Sequence, residues 1–298
     1  MNDDTIEIDA EAVFRKSRKF DLVYKIALAR AWIGGDARQI RRASLDYLEM
    51  QRARFSFFEN TPRRTSPADF MDSFRKVAYS IRSDGFSPDA APVHLEKGSL
   101  ELIDGHHRLA ACIASSRPCR FAYGEPKKRR FLIATFRTFR KGHIAEAVEN
   151  DGVRGYLKYN ESARIVETTP VPGENEESAI SRVESELGCI VWHSRPLSGE
   201  AFAFTVSPLS QESKCAALPP PSQDTVDRLF PALPEPDWRK RAAEAPTFAV
   251  RLEILRYTLA MPFKFGRRRE KAKWHLEELA CRLKAYSMLA DYAERSLP

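Results

Sequence analysis

Cysteine is scarce in this chain: five in 298 residues, an odd number, with no two spaced C-x-x-C. That argues against both a disulfide framework and a zinc ribbon, and leaves free thiols in a reducing, cytoplasmic setting as the expectation. Long apolar runs are missing as well. Nothing approaches the roughly 20 residues that cross a bilayer, so no membrane span is expected. The opening MNDDTIEIDA is acidic, the wrong flank for a secretory signal. Only 13 glycines are present, too few for a collagen-like fibre. What is abundant is a balance of 43% hydrophobic and 30% charged residues, which supports a sizeable core rather than wholesale disorder. The length suits about two domains of roughly 100–200 residues each.

A formal charge of +7 invites a nucleic-acid or phosphate partner, but its distribution is uneven. Residues 11–64 carry +7, residues 126–142 another +7 and residues 237–298 carry +6. Against them stand −4 over residues 1–10, −1 over 65–125 and −8 over 143–236. The basic charge therefore sits in three separated blocks.

Apolar spacing in KFDLVYKIALARAWIGG, with Phe20, Val23, Ile26, Ala27 and Trp32 near a 3.6 period, predicts a helix that Gly34-Gly35 stops. A second helix is predicted from about Ala37 to Phe58, and Pro62 and Pro67 punctuate the segment beyond it. Ser66 as N-cap, Pro67 in the first turn and Asp69 at the third position open another helix, ended by Asp84-Gly85. A β-hairpin comes next: Val93 and Leu95 on one strand, Lys97-Gly98 as the turn, Leu100 to Ile103 returning. HHRLAACIASS reads as a helix, and FAYG, FLIATF and AFAFTV read as strands. A loop over 171–178, a helix near 178–187 and a strand near 189–193 are expected. Residues 208–236, rich in proline, suggest an extended linker, and helical composition returns after 237.

The chemistry concentrates in LIDGHHRLAACIAS, residues 102–115. A strand runs into Asp104-Gly105, and His106, His107 and Arg108 open a helix. Gly105 permits a tight turn, the helix start offers unpaired N–H groups, and Arg108 adds a planar cationic fork. Together they suit a phosphate or another anion. Asp104 is placed to hold magnesium, orient a hydroxyl or cap the helix. His106 and His107 are suited to donate to phosphate oxygens or to move a proton. Adjacent helical residues point about 100° apart, so the two histidines do not chelate one ion easily. Taken alone, an Asp-Gly turn followed by surface histidines is also an ordinary local feature.

The order of motifs is more specific than the turn. Ser80-Ile81-Arg82 with Gly85, then Pro92-Val93, then Ile103-Asp104-Gly105-His106-His107-Arg108-Leu109-Ala110-Ala111 resembles the ParB/sulfiredoxin superfamily core over residues 66–125, about a fifth of the chain. Sulfiredoxins carry a catalytic cysteine where this chain has His106, and Cys112 lies a turn and a half further on, so the resemblance does not imply sulfinic-acid reduction. Partitioning ParB proteins have Glu-Arg-Arg at His106 to Arg108 and a following helix-turn-helix, which this chain does not display. The D-G-H-H-R form is most similar to the free serine kinase branch. It is also similar to polysaccharide-associated ParB-like proteins that share a K-F-D-L-x-x-K segment, Lys19 to Lys25 here.

The resemblance implies a nucleotide, ATP or another, with magnesium. Gly105, His106, His107 and Arg108 would cradle its phosphates, with Asp104 on the metal or the acceptor. A carboxylate outside the loop would act as base, and Glu59 and Asp21 are the candidates; Lys25 is a possible phosphate contact. Asp104, His107 and Glu59 are the expected catalytic residues. The function so implied is phosphotransfer to a small-molecule or sugar hydroxyl. The alternative is a DNA-associated ParB-like protein, a CTP switch or a nuclease, binding nucleic acid through its basic blocks.

KKRRFLIATFRTFRK, residues 127–141, suits a single-stranded nucleic-acid groove or, more plainly, a strand with a basic edge. GRRREKAKWH, residues 266–275, reads as a solvated helix face ahead of a nucleic-acid or anionic membrane contact, and His193 beside Trp192 reads as structural. The expected architecture is α+β. It comprises a helical block (1–65), a ParB/sulfiredoxin-like core (66–142), a mixed α/β region (143–207), the Pro-rich linker (208–236) and a C-terminal helical region (237–298).

Overall fold

The computed structural model describes residues 6, 8–60, 63–97, 100–124, 135–198, 201–245, 247–260 and 267–297. It is an α+β fold. Helices α1 (Ala10–Lys16), α2 (Asp21–Gly34) and α3 (Ala37–Phe55) form the N-terminal block. Leu22, Val23, Tyr24, Ile26, Leu28 and Ala29, which point in different directions around the axis, are all buried, so the first half of α2 runs through the core. It packs against α3, against α5 (His106–Ser115) and against α7 (Glu146–Tyr159). Gly152 lets α7 approach, since a Cβ there would stand 2.3 Å from the Tyr24 hydroxyl. That hydroxyl donates to the Val148 carbonyl at 2.9 Å.

Asp36 and Gln39 cap α3 reciprocally. The helix stops at Phe55, short of the expected Phe58. Ser56 and Phe57 take left-handed φ of 50° and 55°, which turns Phe57 into the core. A two-residue antiparallel ladder comes next, β1 (Glu59–Asn60) with β2 (Arg63–Arg64), then α4 (Pro67–Asp84), with the capping box of Ser66 and Asp69 formed as its sequence predicts. Phe70, Phe74 and Ile81 are buried along one face of α4.

β3 (Val93–Glu96) is the centre of a three-stranded sheet. β4 (Leu102–Asp104) returns antiparallel to it, and α5 then crosses over to β5 (Phe121–Gly124), parallel to β3. The return strand begins at Leu102, because Leu100 has φ 57° and cannot continue the ladder. Gly98 of the expected turn lies outside the described residues, as do 131–134 of FLIATF and 127–130 of the basic run before it. Phe136 belongs to a helix, α6 (Phe136–Lys141), which corrects the expected strand at its end. Phe136 and Phe139, three apart, are both buried, a spacing that a strand would have split between two faces.

A second sheet, order β6-β8-β7, is wholly antiparallel: β6 (Arg164–Thr168), β7 (Cys189–Pro196) and β8 (Phe202–Pro208), with α8 (Glu176–Leu187) packed on β7 and β8. The Pro-rich segment is not a free linker. It holds a 3-10 turn (Lys214–Ala217) and α9 (Gln223–Leu229), and it buries Val226, Leu229 and Phe230. Its prolines stand outside QDTVDRL, so they do not break the helix, which Ser222 caps by accepting from the Thr225 N–H. Helices α10 (Trp238–Ala243), α11 (Phe248–Ala260) and α12 (Arg267–Arg295) complete the chain. Among the described residues no helix is long and apolar enough to cross a membrane, and all five cysteines are free.

Candidate active site

β4 ends on Asp104, and Gly105 turns the chain into α5 at φ 93°. A Cβ at this position would stand 3.0 Å from the Val93 Cα and 3.3 Å from the Arg108 guanidinium, so the turn needs glycine for space as well as for φ. No side chain caps the first turn of α5. Asp104 is 55% exposed at its side chain, with Arg108 3.6 Å away.

Around this loop the fold gathers charge from two distant segments. Asp21, the first residue of α2, is fully buried. Its Oδ2 accepts from Lys25 Nζ at 2.6 Å, Arg54 at 2.9 Å and His106 Nδ1 at 2.8 Å. Burial pushes the Asp21 carboxyl up, but His106, Lys25 and Arg54 outweigh it and hold the group well below its ordinary value. Asp21 is therefore ionised, and the His106 proton lies on Nδ1, facing it. Burial drives His106 down to about 4 against the pull of Asp21, so at neutral pH the ring is uncharged and Nε2 is an acceptor.

His107 has a different environment. Its ring stacks on Phe74 with centroids 4.7 Å apart, and its Nε2 lies 3.3 Å from the Tyr47 hydroxyl. Burial, with Lys25 and Arg64 nearby, keeps it well below its ordinary value and uncharged. Glu59 and Arg64 are register partners across β1 and β2, and the pair closes at 3.0 Å.

Apart from Asp21, Tyr47 and Phe74, which stand behind it, these groups line one cleft of about 480 Å³, within the roughly 300–1,000 Å³ usual for small-molecule sites. Its wall includes Lys25, Gln51, Arg54, Glu59, Arg64 and the whole Asp104–Arg108 loop. The structure thus brings together every expected site residue, with Asp21 directly behind Lys25, Arg54 and His106. Two buried polar atoms of cleft residues, Gln51 Oε1 and Arg64 Nε, have no hydrogen-bond partner. Arg54, Arg64 and Gln51 escaped the sequence reading. Their membership is tertiary, and only Arg64, five residues from Glu59, carried a local hint.

Lys19, from the same N-terminal motif as Asp21 and Lys25, pairs with Glu101 on the hairpin at 2.9 Å. The K-F-D-L-x-x-K segment is therefore part of the wall behind the loop. His193 lies elsewhere, buried and bonded to Glu149. A wider cleft of about 820 Å³ lies at the other ends of α2 and α3. Its Arg42 and Arg154 already pair with Asp151 and Asp227.

The described residues contain no group of three or more His, Cys, Asp or Glu side chains able to hold a metal ion. One exposed carboxylate, Asp104, still suits magnesium, which keeps several waters and takes its other oxygens from phosphates. No known protein family, curated protein or solved structure matches the chain.

Proposed function

We propose that this chain is a nucleotide-binding protein of ParB/sulfiredoxin-like type. More particularly, we read it as a phosphotransferase that acts on a small-molecule or sugar hydroxyl. The observation that carries the reading is the convergence of the uncapped start of α5 with Lys25, Arg54, Arg64, Arg108 and Glu59 on one cleft. Phosphoryl transfer asks for cationic donors around the phosphates, a carboxylate for the metal and a base for the acceptor.

In this reading the backbone at Gly105 and His106, together with Arg108, holds the phosphates. Asp104 would hold magnesium, which would supply neutralisation of the phosphate charge. Glu59 takes the acceptor proton as the hydroxyl oxygen bonds to the terminal phosphorus. The bond from that phosphorus to the bridging oxygen breaks, and the nucleotide leaves with the electron pair. The unpartnered Gln51 oxygen accepts, and the unpartnered Arg64 Nε–H donates. That pairing suits an alcohol, which does both. Asp21 positions His106, Lys25 and Arg54 and is too enclosed to be the base. His107 belongs to the wall, held by Tyr47 and Phe74, and we reassign it from catalysis to packing. His106 is reassigned too: with Nδ1–H committed to Asp21, its Nε2 lacks the proton to donate to a phosphate.

Isothermal titration with ATP, ADP and CTP in the presence of magnesium tests the binding step. Binding of at least one nucleotide is expected, together with a Glu59→Gln variant that binds it equally well and transfers nothing. If none binds, the reading fails. A salt-steep gel shift in place of nucleotide binding would favour the DNA-associated alternative.

A further inference from the structure

We propose that the outer face of α11 is a docking surface for anionic lipid. Leu252, Leu255 and Leu259 are 50%, 54% and 66% exposed, which is unusual for three leucines on one short helix. At 100° per residue they share an arc of about 60°. Arg251 lies about 40° beyond one edge of that arc and Arg256 about 40° beyond the other, and both are exposed. The single acid of α11, Glu253, lies about 130° from the middle of the arc, off the leucine face, and pairs with His275 of α12 at 3.2 Å. Val250, on that same inner side, is buried.

α11 is apolar on its inner side as well, where it packs on α12, so it is not a free amphipathic helix; its exposed stripe, bordered on both sides by arginines with no acid on the arc, is instead a face that a folded protein can lay on a membrane interface. The leucines enter the acyl boundary while the guanidinium groups reach the phosphates. A second copy of the chain fits less well. Pairing stripe to stripe would set arginine edges against arginine edges with no carboxylate between them. Nucleic acid fits less well again, because leucines gain nothing against a phosphate backbone. The proposal gives a role to two of the basic residues of 237–298, a segment that contributes nothing to the cleft wall.

Co-sedimentation of the full chain with phosphatidylcholine vesicles, with and without one part in three phosphatidylglycerol, tests it. Binding is expected to the phosphatidylglycerol vesicles and to fall with salt. Replacing Arg251 and Arg256 by Gln weakens it by about fivefold for each arginine. Leu255→Glu with Leu259→Glu abolishes it, and both exposed sites leave the thermal melt unchanged. The proposal is overturned if the wild type stays in the supernatant with the anionic vesicles. It is equally overturned if the leucine variant binds as well as wild type, or if that variant halves the particle mass in solution, which would make the face a contact between copies.

Discussion

Among the described residues, two largely buried carboxylate–imidazole pairs, each closed at 2.8 Å, have different surroundings. His193 is boxed by Phe136, Phe230 and Phe20, at centroid distances of 5.2, 5.5 and 6.1 Å, and it lines none of the described clefts. Its partner Glu149 also accepts from Arg140 at 3.0 Å, which ties α6, α7 and β7 together. His106, by contrast, borders the 480 Å³ cleft, and its partner Asp21 gathers two further cations that border it too. The same pairing serves as a brace in one region and as the back wall of a site in the other. What separates them is not the strength of the pair but whether its members also face space that a ligand can occupy.

Breaking the Asp21 pair should have the largest effect. Asp21→Asn leaves Lys25 and Arg54 around a neutral amide, and uncompensated buried charge costs about 3–5 kcal/mol. Denaturant unfolding should record that loss, and nucleotide binding should disappear with it, since Lys25, Arg54 and His106 all lose their anchor. A stable variant with intact binding would show that the two pairs are equivalent braces.

Next in size is the response to acid. His106 titrates at about 4 in the folded chain, below the ordinary 6.5. Between those values the unfolded chain binds a proton that the folded one refuses, so stability is complete above pH 6.5 and falls as pH drops toward 4, by up to about 3 kcal/mol. Asp21, held below its ordinary value, adds a loss at still lower pH. Glu149, held at about 2 chiefly by His193 and Arg140 against its burial, acts between roughly 4.5 and 2. His106→Gln should therefore make the fall between pH 4 and 6.5 shallower without abolishing it, since burial also holds His107 and His193 below the ordinary value, and it should leave the lower limb in place. Denaturant melts across that range measure it, and an unchanged slope would show that His106 does not set the acid limb.

Helix α2, the Ser66 cap, the hairpin and the Gly105 turn are legible in the sequence because each depends on neighbours in the chain: a period, a cap, a turn residue. The loop's chemistry was legible for the same reason. The cleft was only half legible. Glu59, Asp21 and Lys25 could be nominated from the sequence, but their convergence on Arg108 comes from the packing of α2 between α3 and α5. Arg54 and Gln51 look like ordinary polar residues near a helix end until Asp21 is brought beneath Arg54. The same limit hid α9, where proline content spoke for a linker while Phe230 was burying itself against His193.

A smaller stability effect is expected at the brace itself. Glu149→Gln keeps the shape and one hydrogen-bonding oxygen. Arg140 retains Glu176 and the Ser194 carbonyl as partners. A loss of about 1.5–3 kcal/mol fits the weakening of hydrogen bonds to a charged group. Unlike Asp21→Asn, it should leave nucleotide affinity unchanged, and titration of the folded variant measures that. A parallel loss of binding would mean that the two regions are coupled through the core.

The smallest stability effect belongs to Arg108, and it isolates what the cleft does for a ligand from what it does for the fold. Its side chain is 21% exposed and meets Asp104 at 3.6 Å, across a carboxylate that is itself more than half exposed. A pair so placed contributes little, so Arg108→Gln, which keeps most of the packed stem, should shift unfolding by less than about 1 kcal/mol. Against a bound phosphate the same fork makes charge-assisted hydrogen bonds, each stronger than a neutral one. Its removal should weaken nucleotide binding by about 10- to 100-fold, equivalent to roughly 1.4–2.8 kcal/mol. Titration calorimetry and a denaturant melt on the same preparation separate the two quantities. If affinity is unchanged while stability falls, Arg108 is a structural residue and the loop does not hold phosphate.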